Sequence, residues 1–251
     1  LGGGLKAWGQ LDSRFTVDQG GQSANGAINW WAQGNTGMGL MHSSWGKVTL
    51  GHWDVYYNEF ERNLGLPRAQ PLQYNLGLGI MSQVATTAGG GATSTTVGTG
   101  TRTSNLLMWD SPNWNGFTAR LGYSTNPTAN EGSGVTTAAN SGNAGGGYAW
   151  SAALRYNNGP WAAGYSHYSS KSENRQEVIV GGTNVAAIND LTGDRIWLGY
   201  KFAMGLKLGF AYDWSSNDNG AAAAVGTTKQ KRGAWYLPVS YSWGPHAVYA
   251  S

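Results

Sequence analysis

The 251-residue chain is predicted to be all-β: a transmembrane, antiparallel, up-and-down β-barrel. Three observations carry this reading. Apolar and polar residues alternate with a period of two, in segments of about 9 to 11 residues, the length a tilted membrane-crossing strand needs. The connections between these segments alternate short and long, which places all the long loops on one rim. The apolar face mixes Ala and Gly with aromatic rings, whereas the core of a soluble sandwich is filled chiefly with interdigitating Val, Ile and Leu.

The alternation places strands near 5–17, 35–43, 47–53, 102–111, 116–124, 148–157, 161–169, 194–203, 206–215, 233–243 and 246–251, about eleven in all. Short connections fall at Ser44-Trp45-Gly46, Pro112-Asn113-Trp114-Asn115, Asn158-Gly159-Pro160, Met204-Gly205 and Gly244-Pro245. Each carries the Gly, Asn or Pro that tight hairpin turns demand. Long connections fall at 18–34, 54–101, 125–147, 170–193 and 216–232, rich in Gly, Ser, Thr, Asn and Ala.

Alternation also sorts each strand into two faces. One face is apolar, with Leu5, Ala7, Gly9, Leu11 and Phe15; Phe117, Ala119, Leu121 and Tyr123; Tyr148, Trp150, Ala152, Leu154 and Tyr156; Ile196, Leu198, Tyr200 and Phe202; and Leu206, Leu208, Phe210, Tyr212 and Trp214. The other holds nearly every strand charge: Lys6, Asp12, Arg14, Lys47, Arg102, Asp110, Arg120, Arg155, Arg195, Lys201, Lys207 and Asp213. Water belongs on that side. Aromatic residues cluster at strand ends, where a membrane-interface girdle would hold them.

Composition narrows the function classes. No stretch approaches the roughly 18 consecutive apolar residues of a transmembrane helix, and 13 Trp with 13 Tyr argue against disorder. With no Cys, a disulfide scaffold or Cys-ligated metal site is excluded. The net charge of +3 comes from singly scattered Lys and Arg, a poor footprint for nucleic acid. The four histidines, His42, His52, His167 and His246, lack metal-ligand spacing and no serine nucleophile motif accompanies them, so neither an enzyme nor a metal or other cofactor is expected. Asn217-Asp218-Asn219-Gly220 lacks the following bidentate Glu of a calcium loop and reads as a polar turn. The opening Leu1-Gly2-Gly3-Gly4 reads as a turn between strands and the run ending at Ser251 stops mid-pattern; the expectation is one barrel domain over 1–251, an internal portion without its first and last strands.

Three segments, Leu1-Gly2-Gly3-Gly4-Leu5-Lys6-Ala7, Trp45-Gly46-Lys47-Val48-Thr49-Leu50-Gly51 and Ser104-Asn105-Leu106-Leu107-Met108-Trp109-Asp110-Ser111-Pro112-Asn113-Trp114-Asn115-Gly116-Phe117, resemble the Gram-negative general porins, the beta-proteobacterial branch above all. The last is the most specific. The resemblance covers 1 to about 124 by motif and the remainder by strand rhythm. It implies a 16-stranded barrel in the full chain, a homotrimer in the outer membrane among lipid and lipopolysaccharide, and a long third loop folded into the lumen as a constriction. The segment 54–101 stands where that loop would lie.

The same resemblance implies a transverse field between acidic loop residues and a basic wall. Asp54, Glu59 and Glu61 are the candidates for the acidic side, with Tyr56 and Tyr57 beside them; the other reading is that these carboxylates only solvate a loop. Arg102, just before the Ser-Asn pair, matches a constriction arginine of the family. Arg14, Lys6, Lys47 and Arg120 share the polar face. His52 stands where the family often has Arg, but it shares parity with Val48 and Leu50 and needs a bend to face the lumen. Asn35 and Met108 replace other commonly basic positions. An excess of basic over acidic residues on the polar face favours anions, because charge focused in a narrow channel concentrates counter-ions. The expected function is passive diffusion of small hydrophilic solutes with mild anion preference. The alternatives are a substrate-specific channel using Tyr56, Tyr57 and Phe60, or a non-conducting structural or adhesive barrel plugged by its long loop.

Overall fold

The computed structural model describes residues 2–12, 35–55, 83–85, 96–98, 103–125, 147–172, 176–180, 183–220 and 229–250. Its strands are β1 (Lys6–Gln10), β2 (Thr36–His42), β3 (Gly46–Trp53), β4 (Gln83–Ala85), β5 (Thr96–Gly98), β6 (Thr103–Asp110), β7 (Phe117–Ser124) and β8 (Gly147–Asn158). They continue as β9 (Trp161–Ser172), β10 (Gln176–Val180), β11 (Thr183–Lys201), β12 (Leu206–Gly220), β13 (Lys229–Tyr236), β14 (Val239–Trp243) and β15 (His246–Ala250). Eleven form one antiparallel meander in the order β1-β2-β3-β6-β7-β8-β9-β11-β12-β14-β15, with β10 added on β11 and β13 on β12; β4 and β5 form a separate hairpin. Among the described residues β1 and β15 do not pair with each other, so the sheet is an open arc of wall.

Each expected strand has its counterpart, and the differences have physical causes. The expected strand 233–243 is divided into β13 and β14 at Leu237-Pro238 because proline has no N–H to give the ladder. Register nonetheless carries across: Ala211 pairs Tyr236, Leu208 pairs Val239, and the Gly209 N–H still reaches the Pro238 carbonyl at 2.9 Å. Two segments expected as loops are partly strand. Within 170–193, β10 pairs the first part of β11, and within 216–232, the end of β12 pairs the start of β13. Gly181-Gly182 between β-branched runs is the hairpin signal there. The 54–101 segment likewise contains the β4–β5 hairpin.

The tightest connection shows how local sequence sets the turns. Trp114 and Phe117 exchange backbone hydrogen bonds of 2.8 and 3.1 Å around Asn115 and Gly116, whose φ values are 52° and 98°. A two-residue hairpin loop with both central residues at positive φ is what Asn-Gly adopts most readily. Asn113 Oδ1 accepts the Gly116 N–H at 2.6 Å, and Ser111 Oγ accepts that of Ala119 at 2.8 Å, tying the turn to β7.

The pattern of burial is inverted relative to a water-soluble protein. Leu121, Leu198, Phe210 and Tyr241 are exposed, while Arg195 and Asp213 are 3% and 0% exposed. Outward-facing rings form two bands. One follows the short turns, with the pairs Phe117–Tyr156, Trp161–Tyr200, Tyr200–Phe202 and Tyr241–Trp243. The second lies toward the long loops, with Tyr123–Tyr148 and Tyr212–Trp214. From Trp150 to Asn158 along β8, at about 3.3 Å per residue and a tilt of about 40°, the climb is roughly 20 Å, close to the ~25 Å apolar band of a membrane barrel.

Candidate functional site

The inner wall is where charge collects, and strand pairing decides which charges meet. One row runs across ten strands through Lys6, Met41, Lys47, Asp110, Arg120, Ala153, Ser166, Arg195, Asp213 and Ala234. Within it, Arg120 Nε donates to Asp110 Oδ1. Arg195 donates to Asp213 Oδ2 from Nε at 3.2 Å and Nη2 at 3.0 Å. Lys201 pairs directly opposite Lys207 at the short-turn end, like charges that raise the local potential. Beyond the two ion pairs, Lys6, Lys47, Arg155, Lys201 and Lys207 stand against Asp12 on the described inner face, a positive balance.

The entry of the 54–101 segment turns inward. The Asp54 carbonyl accepts a hydrogen bond from Arg120 Nη1 at 2.9 Å, and the Asp54 N–H donates to Asn35 Oδ1 at 3.1 Å. Val55, 1% exposed, packs with Leu106, Met108, Ala149 and Tyr168 on the inner face. At the far side of the wall, β4 lies against β12 and β13. There the inward residues Ala211, Asp213 and Ala234 are buried and the outward Tyr212, Trp214 and Trp235 exposed, so the hairpin sits on the inner face.

Of the residues singled out in the sequence, Lys6, Lys47 and Arg120 lie on the inner face and Asp54 at the inward turn. His52 does not. Alternation holds through the end of β3, sending Trp53 inward to Trp8 at 5.4 Å and His52 outward, where its Nδ1 meets Ser104 Oγ at 3.0 Å. The irregularity falls on β6 instead: Gly51 pairs Leu106 but Trp53 pairs Thr103, leaving an extra residue at Ser104-Asn105, with Asn105 at φ 50°. This bulge puts Thr103, paired with the inward Trp53, on the inner face. Arg102, Arg14, Tyr56, Tyr57, Glu59 and Glu61 lie outside the described residues. Met108 is fully buried under Val55, a packing residue.

Alternation also sends some aromatics inward. Trp8, Trp53, Tyr168 and Trp197 face inward and belong to no girdle; Trp8 lies on the polar parity of β1, which was the available signal. On the outer face an unforeseen polar group sits near the long-loop girdle. Asp194 Oδ1 accepts from the Tyr165 hydroxyl at 2.6 Å and lies 2.7 Å from His167 Nδ1, whose ring packs on Trp150.

An antiparallel meander, apolar outside, charged inside and banded by rings at two levels, is the wall of a transmembrane β-barrel. The chain belongs to the Gram-negative porin family, whose sequence profile matches residues 1–251, and its place is the bacterial outer membrane. No curated protein matches it. An anion-selective porin from Comamonas acidovorans is similar in fold, with 21% identity and a TM-score of 0.59, over 97% of this chain and 61% of that one. This chain thus spans about three fifths of that protein's length. OmpF of Salmonella typhi, in complex with daunomycin, aligns over 99% of this chain and 77% of its own at 11% identity, with a TM-score of 0.44.

Proposed function

We propose that the protein forms a water-filled channel for passive diffusion of small hydrophilic solutes, with a preference for anions, and that it works as a homotrimer. The observation that carries the reading is the inner wall. On the described inner face the carboxylates of Asp110 and Asp213 bond Arg120 and Arg195, and the other inward charges are five basic residues against Asp12. A positive, low-dielectric-walled passage raises the local concentration of anions and lowers that of cations.

The segment 54–101 acts as the constriction. Its inward turn at Asp54-Val55 and the contact of β4 with β12 and β13 support this. Its acidic residues, with Asp54 at the entry, face the basic wall across that narrowing.

The test is single-channel conductance of the intact protein in a planar bilayer, with the zero-current potential across a tenfold KCl gradient. Stepwise triplet openings and an anion-selective potential are expected. Lys201→Gln with Lys207→Gln moves that potential toward cation selectivity; an unchanged potential refutes the basic-wall assignment, and electrically silent folded trimers refute the channel.

A further inference from the structure

The inner face of β1–β3 carries a feature that general electrostatic filtering does not use. The Lys47 ammonium lies 3.5 Å from the centroid of Trp8 and 5.0 Å from that of Trp53, while the two indoles meet edge to face at 5.4 Å and 80°. Lys47 thus sits in a corner with two aromatic walls. The corner is preorganised: Trp8 Nε1 donates to the Val48 carbonyl at 3.2 Å, which fixes the ring. Its floor is glycine. A Cβ on Gly39 would come within 3.0 Å of Trp8 Nε1, tighter than ordinary contact, so the Trp8 indole lies on the wall because β2 has no side chain there, and one on Gly37 would stand in ordinary contact, 3.4 Å from the Trp53 ring.

The charge in this corner is available. Asp110 is opposite Lys47 in register, but its carboxylate is engaged by Arg120, and among the described residues no carboxylate lies within ion-pair distance of Lys47. Trp8, Lys47 and Trp53 are all half-buried, so each keeps surface toward the lumen. Elsewhere on the inner wall Trp197 is 4% exposed and presents no such surface.

We propose that Trp8, Lys47 and Trp53 form a wall subsite for aromatic carboxylates, a solute class within the anion channel proposed above, on which this inference rests. One cation matches one carboxylate, and the indoles offer flat apolar surface to the ring that carries it; aromatic pairs of this kind favour edge and offset contacts. The Lys47 ammonium remains against the indoles and meets the carboxylate from its lumenal side, a desolvated setting in which cation–π and ion-pair contacts strengthen. Among the described residues Lys47 is the one cation in the corner, the Arg120 guanidinium being bonded to Asp110 and the Asp54 carbonyl, so a phosphate dianion meets one positive charge with two negative ones. For a sugar the Trp8 N–H is already spent on Val48 and one Gln10 N–H on the Asn35 carbonyl.

The probe is sodium benzoate added to the intact protein conducting chloride in a planar bilayer, with acetate and benzamide as controls for ring and charge. Benzoate is expected to block the current saturably with half-effect in roughly the millimolar range, and acetate and benzamide at least tenfold more weakly. Trp8→Leu raises the half-blocking concentration of benzoate at least tenfold while chloride conduction persists, with Trp8→Phe in between, and Lys47→Met weakens the benzoate block by at least as much while also reducing the anion preference to which Lys47 contributes. Equal block by benzoate and acetate, or block unchanged in both variants, overturns the subsite. The comparison of the three solutes on the native protein decides the matter even where a variant fails to insert. Chloride current without benzoate discrimination overturns this inference alone; absence of any chloride current overturns the channel reading and this one with it.

Discussion

Replacing Asp213 by Ala removes the carboxylate from an ion pair whose side chains are 4% and 0% exposed. Arg195 then keeps its charge in the same dry position with its two bonds to Asp213, at 3.2 and 3.0 Å, gone. At an effective dielectric constant of about 20, a 3.0 Å contact is worth roughly 5 kcal/mol of Coulomb energy before desolvation is counted. Two charge-assisted hydrogen bonds at about 1.5–3 kcal/mol each give the same scale. Breaking a buried pair from one side costs about 3–5 kcal/mol in general, and we expect about 4 here. With a urea slope near 2 kcal/mol/M, the unfolding midpoint of the vesicle-reconstituted barrel falls by about 2 M. Arg195→Met with Asp213→Leu together, which removes both charges, lies much closer to the native midpoint. A single-variant shift under about 0.5 M, or a double variant less stable than either single one, refutes the reasoning.

Other outcomes follow from the faces and the close contacts. Leu121→Arg or Leu198→Arg places a charge on the lipid side and costs about 2–4 kcal/mol near the bilayer midplane, read as a loss of folded, heat-modifiable barrel on a gel; a neutral effect means the outward assignment is wrong. Gly39→Ala brings a Cβ to 1.9 Å from the Val48 carbonyl oxygen, so β2 and β3 must separate and the folded yield collapses, whereas Gly3→Ala, with no atom within 4 Å of its Cβ but φ at +59°, costs about 1 kcal/mol. Tyr165→Phe with His167→Leu strips Asp194 of both hydrogen-bond partners on the outer face and destabilises the barrel by about 2 kcal/mol, and adding Asp194→Leu restores most of that; urea midpoints of the three variants test it.

Period two made the strands and their faces legible before any coordinates. Leu121 and Arg120 are neighbours in sequence and sit on opposite sides of the wall, as their alternation requires. What alternation could not supply was register. The pairs Asp110–Arg120 and Arg195–Asp213 exist only once adjacent strands are aligned, and a list of basic residues therefore overstated the charge left to face the lumen. The bulge at Ser104-Asn105 was equally hidden: one residue that tolerates positive φ resets the parity of everything before it. Trp8 shows a different gap. Its inward parity was legible, and so were the glycines at 37 and 39, but the meaning of a tryptophan on the polar face emerges only when β3 brings Lys47 and Trp53 alongside.

The division of the chain into alternating faces also bears on how such a wall reaches its membrane. Apolar residues that are contiguous on the finished surface are separated by polar ones along the chain, and the mean hydropathy is −0.37. Cellular machinery that recognises helix-length apolar runs reads this polypeptide as hydrophilic. It can therefore be exported through a bilayer without being arrested there, and it becomes lipophilic only on the arrival of neighbouring strands, at the destination where that surface is wanted.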